Sequence, residues 1–265
     1  MVQQPQSGSR PSSQRGAVGG GARSVVLWET LCDRLGPAPA TSPGVTPRRV
    51  VDLGGGTGGL AVRVAELGHH VTVVDPSPDA LASFHRRAAE SGVEGRVVGI
   101  QGDTTDLLDH VGHASADLVL CHGVLEVVDD PGQALDAVAE VLRKDGLLSV
   151  VVAGRLAAVL GRALAGHLGA ARSMVAASGA DWDLRADGPR RYTREEILAL
   201  VDAHGFTVET VRGIRIFADL VPSAVVDTEP GAQAALVELE RAASLVPELA
   251  AVASQLMVVA RHRPR

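Results

Sequence analysis

The segment VVDLGGGTGG, residues 50–59, sets an acid, Asp52, two positions ahead of a glycine cluster and directly after an apolar run. Glycines at such a turn let the main chain bend sharply and approach a ligand that side chains would hold away. Two further acids close later apolar runs: Asp75 ends VTVVD and is followed by Pro76, and Asp103 stands in IQGD and is followed by Thr104. Carboxylates at successive strand ends can accept hydrogen bonds from a ribose diol or face a cation. A bare strand-to-helix turn requires none of them.

Gly54, Gly56 and Gly59 satisfy the spacing G-x-G-x-x-G, and Asp75 follows at the next strand end, where a dinucleotide's ribose would be held. NAD is therefore one reading. Asp52 and Asp103 favour another, because a diphosphate is repelled by added carboxylates, whereas S-adenosylmethionine brings an ammonium and a sulfonium that they stabilise. On that reading Asp52 serves the methionyl ammonium, directly or through water. The backbone of the glycine loop at Gly54, Gly55 and Gly56 accommodates methionine and ribose. Asp75, with Pro76 beside it, accepts from the ribose hydroxyls, and Asp103 with Thr104 faces the adenine edge. Asp103 ahead of Thr104 equally has the form of a helix N-cap.

Other reactive side chains are sparser. His122, after the fourth apolar run, suits a cofactor contact or, for a hydroxyl or amine acceptor, a general base. Glu126 reads as surface or capping charge. Tyr192 and Trp182 suit either stacking on a substrate or sealing a core edge. Cys32 and Cys121 lie far apart, and no His or Cys spacing suits a metal.

These residues need a scaffold that brings strand ends together. Apolar runs at 49–53, 71–75, 96–101, 116–121 and 146–153 alternate with helical patterns near 58–67, 78–91, 104–110 and 131–143, the signature of parallel βαβ units buried on both faces. A helix from Val25 to Leu35 precedes them. After Ala153 come a Gly/Ala/Leu helix (155–168), a polar stretch and a helix at 194–204, making 154–192 a candidate substrate cap. Residues 205–212, a long helix near 231–252 and residues 256–262 supply two final strands joined by a helix. The expected fold is α/β, a doubly wound, mostly parallel seven-stranded sheet with a helical cap insertion.

Residues 1–21 are rich in Gln, Ser, Pro and Gly and are expected to be a disordered tail ahead of one domain at 22–265. The net charge of -6 gives no global attraction for polyanions, although a local arginine patch is compatible with it. With no signal-like or membrane-length apolar run, a cytoplasmic protein is expected.

At DLGGGTGG, VVDPSPDAL, CHGVLEVVDDP and KDGLLSVVV the chain resembles the Rossmann-like S-adenosylmethionine methyltransferases. At ARSVVLW (22–28), CHGVLEVV (121–128), residues 146–168 and GIRIFADL (213–220) it is similar to the bacterial tRNA 5-carboxymethoxyuridine methyltransferase family, which methylates the carboxylate of a modified wobble uridine. That resemblance implies cofactor contacts from Arg23 and His122. It departs at Ala153-Gly154 and at SMVAASGADWDL (173–184), where the family carries a polar aromatic, an amide and a lysine-rich stretch. Arg155, Arg162, Arg172, Arg185, Arg190 and Arg191 are the candidate replacement patch. A carboxylate acceptor needs orientation rather than a base, and Arg215 is the candidate clamp, since a guanidinium fork matches carboxylate geometry. The expected acceptor is that tRNA carboxylate or, alternatively, a small-molecule oxygen or nitrogen. An NAD-dependent oxidoreductase and a catalytically silent cofactor-binding module are the remaining alternatives.

Overall fold

The computed structural model describes residues 21–263 apart from 23, 43, 178–183 and 185–187. Most of the expected tail, as well as Arg23, Trp182 and Arg185, lies outside the described residues. A single seven-stranded sheet runs β3-β2-β1-β4-β5-β7-β6, with β1 at Arg49–Leu53, β2 at His70–Asp75, β3 at Val97–Gln101, β4 at Ala116–His122, β5 at Leu142–Ala153, β6 at Phe206–Ile214 and β7 at Gln255–His262. The first five strands are parallel, and β7 pairs antiparallel with both β5 and β6. The expected doubly wound sheet is present.

Strand order reverses between β1 and β4, which pair from Val50↔Leu118 to Leu53↔Cys121. A crevice at such a switch point, beyond the carboxyl ends of the strands, is where open α/β sheets bind ligands. Asp52, Asp75 and His122 all stand at that edge.

Helices cover both faces: α1 (Val25–Leu35), α2 (Gly59–Glu66) and α3 (Pro78–Glu90) on one side, α4 (Leu107–Val111), α5 (Pro131–Val141) and α8 (Arg194–Ala203) on the other. Local chemistry sets their starts. Ser77 accepts the Ala80 N–H ahead of Pro78, Asp130 accepts from Gly132 and Gln133 ahead of Pro131, and Thr193 with Glu196 forms a capping box. Phe84, Leu31 and Leu120 fill one core layer and Leu135, Leu148 and Phe206 the other, all fully buried. Burying each such side chain contributes about 1.5–3 kcal/mol before entropy is set against it.

Two expected helices are broken. The run at 155–168 divides into α6 (Arg155–Leu164) and α7 (Leu168–Ala176), because Gly166 takes a left-handed φ of 81°. The long C-terminal helix divides into α10 (Ala232–Ala243) and α11 (Pro247–Ala251), where Pro247 cannot continue the hydrogen-bond ladder. A short helix, α9 (Ser223–Thr228), was not foreseen. Among the described residues no helix is long and apolar enough to cross a membrane.

Candidate cofactor and acceptor site

The β1 strand delivers Asp52 into the sheet, 3% exposed, with the Gly55 backbone pressed against its carboxylate. A Cβ on Gly55 would stand 2.7 Å from the Asp52 Oδ2, and one on Gly54 would stand 2.7 Å from Val124 of the loop after β4. Gly54, Gly56 and Gly58 all have positive φ. Side chains are thus excluded from the turn both by conformation and by space.

At the end of β2, Asp75 reaches back to the same turn. Its Oδ2 accepts the Gly56 N–H at 2.8 Å and its Oδ1 accepts the Ser77 N–H at 2.9 Å. Each carboxylate oxygen keeps a further lone pair for a ligand hydroxyl. The Asp52 carboxylate, by contrast, accepts no hydrogen bond among the described residues. Burial, and secondarily the Asp75 charge, push its pKa up to about 7. A buried, unpartnered carboxylate beside a second one is stabilised by a cation and made worse by an anion.

Pro76, Asp103 and Thr104 meet Val127, Val128 and Asp129 around a cavity of about 800 Å³ next to this turn. The alternative reading of Asp103 as a helix N-cap fails: α4 starts at Leu107 with Asp106 ahead of it. Asp103 instead accepts the Thr105 N–H and hydroxyl, both at 2.7 Å, and those bonds hold its pKa below the usual carboxylate range. It lines the cavity as an exposed, ionised carboxylate.

His122 ends β4 and shares a 2.9 Å hydrogen bond with Ser149 of β5. Burial lowers its pKa to about 4, so the ring is neutral and a poor proton acceptor at neutral pH. Ser149 was missed; the only sequence signal was a lone hydroxyl inside the apolar run GLLSVVVA.

Glu126 is the larger correction. Far from being surface charge, it is 7% exposed, its Oε1 accepts the Ala153 N–H at 2.9 Å, and its Oε2 is buried without a partner. Burial raises its pKa, partly offset by those backbone bonds and by Arg191. Tyr192 seals the core edge rather than standing free: its hydroxyl donates to the Leu125 carbonyl at 2.8 Å.

The arginine patch is also revised. Arg155 is 4% exposed and ion-paired to Glu196 at 2.6 Å, so it is buried where α6 starts against α8 rather than displayed at the surface. Arg190 donates to the carbonyls of Val128 and Asp129 and ties the segment ahead of α8 to the loop after β4. Arg162, Arg172 and Arg191 remain for a ligand.

Arg215 follows β6, at the same edge of the sheet but with β7 between it and β5. It has a left-handed φ of 59°, pairs with Asp219 at 2.8 Å, and buries an Nε that has no partner. The turn after it is held by Glu240, a fully buried carboxylate that accepts the N–H groups of Ile216, Phe217 and Ala218. Among the described residues no group of three or more His, Cys, Asp or Glu could hold a metal.

Residues 51–150 match a family described as a methyltransferase domain. The chain is 29% identical over 204 residues to the tRNA 5-carboxymethoxyuridine methyltransferase of Escherichia coli O157:H7, covering 77% of this chain and 75% of that one. It is 34% identical over 123 residues to the ubiquinone biosynthesis O-methyltransferase of Caulobacter vibrioides, covering 46% of each. In fold it is similar to an S-adenosylmethionine-dependent methyltransferase from Mesorhizobium loti, with a TM-score of 0.58, 20% identity and coverage of 91% and 100%. With its glycine turn and acid pair in the crevice of this fold, the chain carries a methyltransferase domain over residues 51–150.

Proposed function

We propose that the methyl acceptor is a carboxylate, with the carboxylate of a modified tRNA wobble uridine as the leading candidate. The observation that carries this reading is the neutral, weakly basic His122: an oxygen or nitrogen that must lose a proton finds little help there, whereas a carboxylate needs none. The similarity to the tRNA enzyme, which extends well beyond residues 51–150, supports the same acceptor. A tRNA acceptor would place the protein in the cytoplasm.

When bound, S-adenosylmethionine supplies a methyl carbon that an acceptor lone pair displaces from sulfur. The chain's own work is alignment and exclusion of water. Asp52 faces the methionyl ammonium, directly or through water. Gly54, Gly55 and Gly56 leave room for methionine and ribose, and Asp75 accepts from the ribose hydroxyls with the lone pairs its backbone contacts leave free. Pro76, Asp103 and Thr104 border the adenine side and His122 packs on the cofactor; Arg23, outside the described residues, is the further cofactor contact that the resemblance implies. Helix α1 is anchored on α2, since Arg63 of α2 stacks over the Trp28 ring of α1 with 3.7 Å to the centroid. Arg215 orients the acceptor carboxylate with the N–H groups that Asp219 does not use.

Incubation with S-adenosylmethionine tritiated in the methyl group, against fractionated small RNA and against metabolites, tests this reading. Label that is released by mild alkali marks a methyl ester and supports it; alkali-stable label contradicts a carboxylate acceptor. A small-molecule acceptor is the second reading, favoured by Arg155 and Arg190 being spent on contacts within the chain rather than displayed to RNA.

A further inference from the structure

We propose that Arg162 and Arg191 form an anion subsite in the cleft beneath α6, which takes an acidic group of the acceptor other than the one methylated. This inference rests on the anionic acceptor proposed above and adds a second point of attachment to it. The cleft, of about 320 Å³, is lined by Ala158, Gly161 and Arg162 of α6, His167, Arg191 and Ser254.

Arg191 is held where it is by everything around it. Its backbone carbonyl accepts the Arg155 guanidinium, at 3.3 Å from Nε and 3.1 Å from Nη2. On one side the Arg190 N–H donates to the Glu126 carbonyl, and on the other Tyr192 exchanges backbone contacts with Ala153 and Arg155. The strap from 190 to 192 is therefore fixed against the loop after β4 and the end of β5, beside the site of methyl transfer.

Its guanidinium is the exception to this satisfaction. Neither Arg191 nor Arg162 forms an ion pair among the described residues, and Arg162 makes only a 3.3 Å contact with the Met174 sulfur. Burial, and then the Arg162 charge, lower the Arg191 pKa, so two like charges share a half-buried space. Among the described residues Glu126 is the acid that favours the Arg191 charge, but without a direct ion pair to it: its Oε1 accepts the Ala153 N–H. Two half-buried guanidinium groups lining one cleft, with no ion pair among the described residues, are what a carboxylate or phosphate completes, through charge-assisted and bidentate hydrogen bonds. Ser254 connects the cleft to Arg215, whose carbonyl accepts its N–H at 3.4 Å. An acceptor spanning both places would carry two acidic groups.

Titration of the full chain with inorganic phosphate, with malonate and with S-adenosylmethionine tests the inference, comparing the parent with Arg162→Gln, Arg191→Gln and Arg191→Lys. The expected result is saturable binding of one anion by the parent and at least tenfold weaker binding in each Gln variant. Cofactor affinity should be unchanged within twofold, and Arg191→Lys should fall between. Preference for malonate points to a carboxylate in the cleft, and preference for phosphate to a phosphorylated or nucleic-acid acceptor. Removing one of two repelling charges should leave the ligand-free melting temperature at or above that of the parent, whereas an arginine with a structural role would lower it. No anion binding by the parent, equal binding by the Gln variants, or variants that melt early would overturn the subsite. Anion binding as expected together with alkali-stable methyl label would retain the cleft and retire the carboxylate acceptor.

Discussion

The Asp75 carboxylate accepts the Gly56 N–H at 2.8 Å, so the acid at the end of β2 fixes the glycine turn that follows β1. Asp75→Ala should therefore have two effects. Cofactor affinity should fall by about 1.5–3 kcal/mol as a charged acceptor is lost, and stability should fall by about 1 kcal/mol as the Gly56 N–H loses its partner. Calorimetric titration and thermal melting read the two separately. Unchanged affinity in a folded variant would remove Asp75 from the ribose site.

Asp52 predicts a pH dependence. A cation prefers the ionised carboxylate, and the free group has a pKa of about 7. Affinity for S-adenosylmethionine should rise with pH toward 7, by up to about tenfold per unit, and level off above it. Because its folded pKa lies above its unfolded one, the native state binds the proton more tightly, and the group's contribution to stability is lost as pH rises from about 4 through 7. Asp52→Asn should bind more weakly at pH 8, lose the pH slope and gain stability over the parent as pH rises. A flat affinity profile in the parent across pH 5.5 to 8 would contradict the assignment.

The glycines of the turn are not equivalent. Gly54→Val introduces a branched side chain at a φ of 67° and 2.7 Å from Val124, so it should abolish cofactor binding and also cost about 1–3 kcal/mol of stability. The stability loss follows from the structure; from sequence alone only a blocked ligand space was evident. Gly59 opens α2 with nothing within 4 Å, and Gly59→Ala should keep binding and stability. Loss of binding in Gly59→Ala would extend the ligand site into α2.

How far these relationships were legible depended on sequence distance. Strands β1 to β5 were readable because parallel strands buried on both faces form continuous apolar runs, and Asp52, Asp75 and Asp103 stood out as candidates because they lie at or near the ends of such runs. What the sequence hid are contacts between distant segments. Arg155 looks like one more surface arginine until Glu196, forty-one residues on, is seen to neutralise it. Glu126 looks like helix charge until the end of β5 covers it. Glu240 reads as an ordinary residue of an amphipathic helix, yet it satisfies three successive N–H groups of residues 216–218.

Arg215 separates the acceptor chemistries. Arg215→Ala should lower turnover by about 2–4 kcal/mol in transition-state stabilisation if the acceptor carboxylate is shielded from water, with cofactor affinity intact. Arg215→Lys should also be impaired, since it keeps the charge and loses the fork. Arg215→Gly relieves a left-handed residue, so lost turnover with undiminished stability would assign the defect to function rather than folding. Full activity in all three variants would eliminate the clamp and make His122→Ala the variant to examine.

On the proposed reading, the crevice between β1 and β4 holds S-adenosylmethionine through its acid pair. Equilibrium titration of the full chain with S-adenosylmethionine and with NAD, in the parent and in Asp52→Asn, measures this directly. Micromolar binding of S-adenosylmethionine, no binding of NAD, and at least tenfold weaker binding in the variant at pH 8 are expected. Binding of NAD without S-adenosylmethionine, or equal affinity in parent and variant, would contradict it.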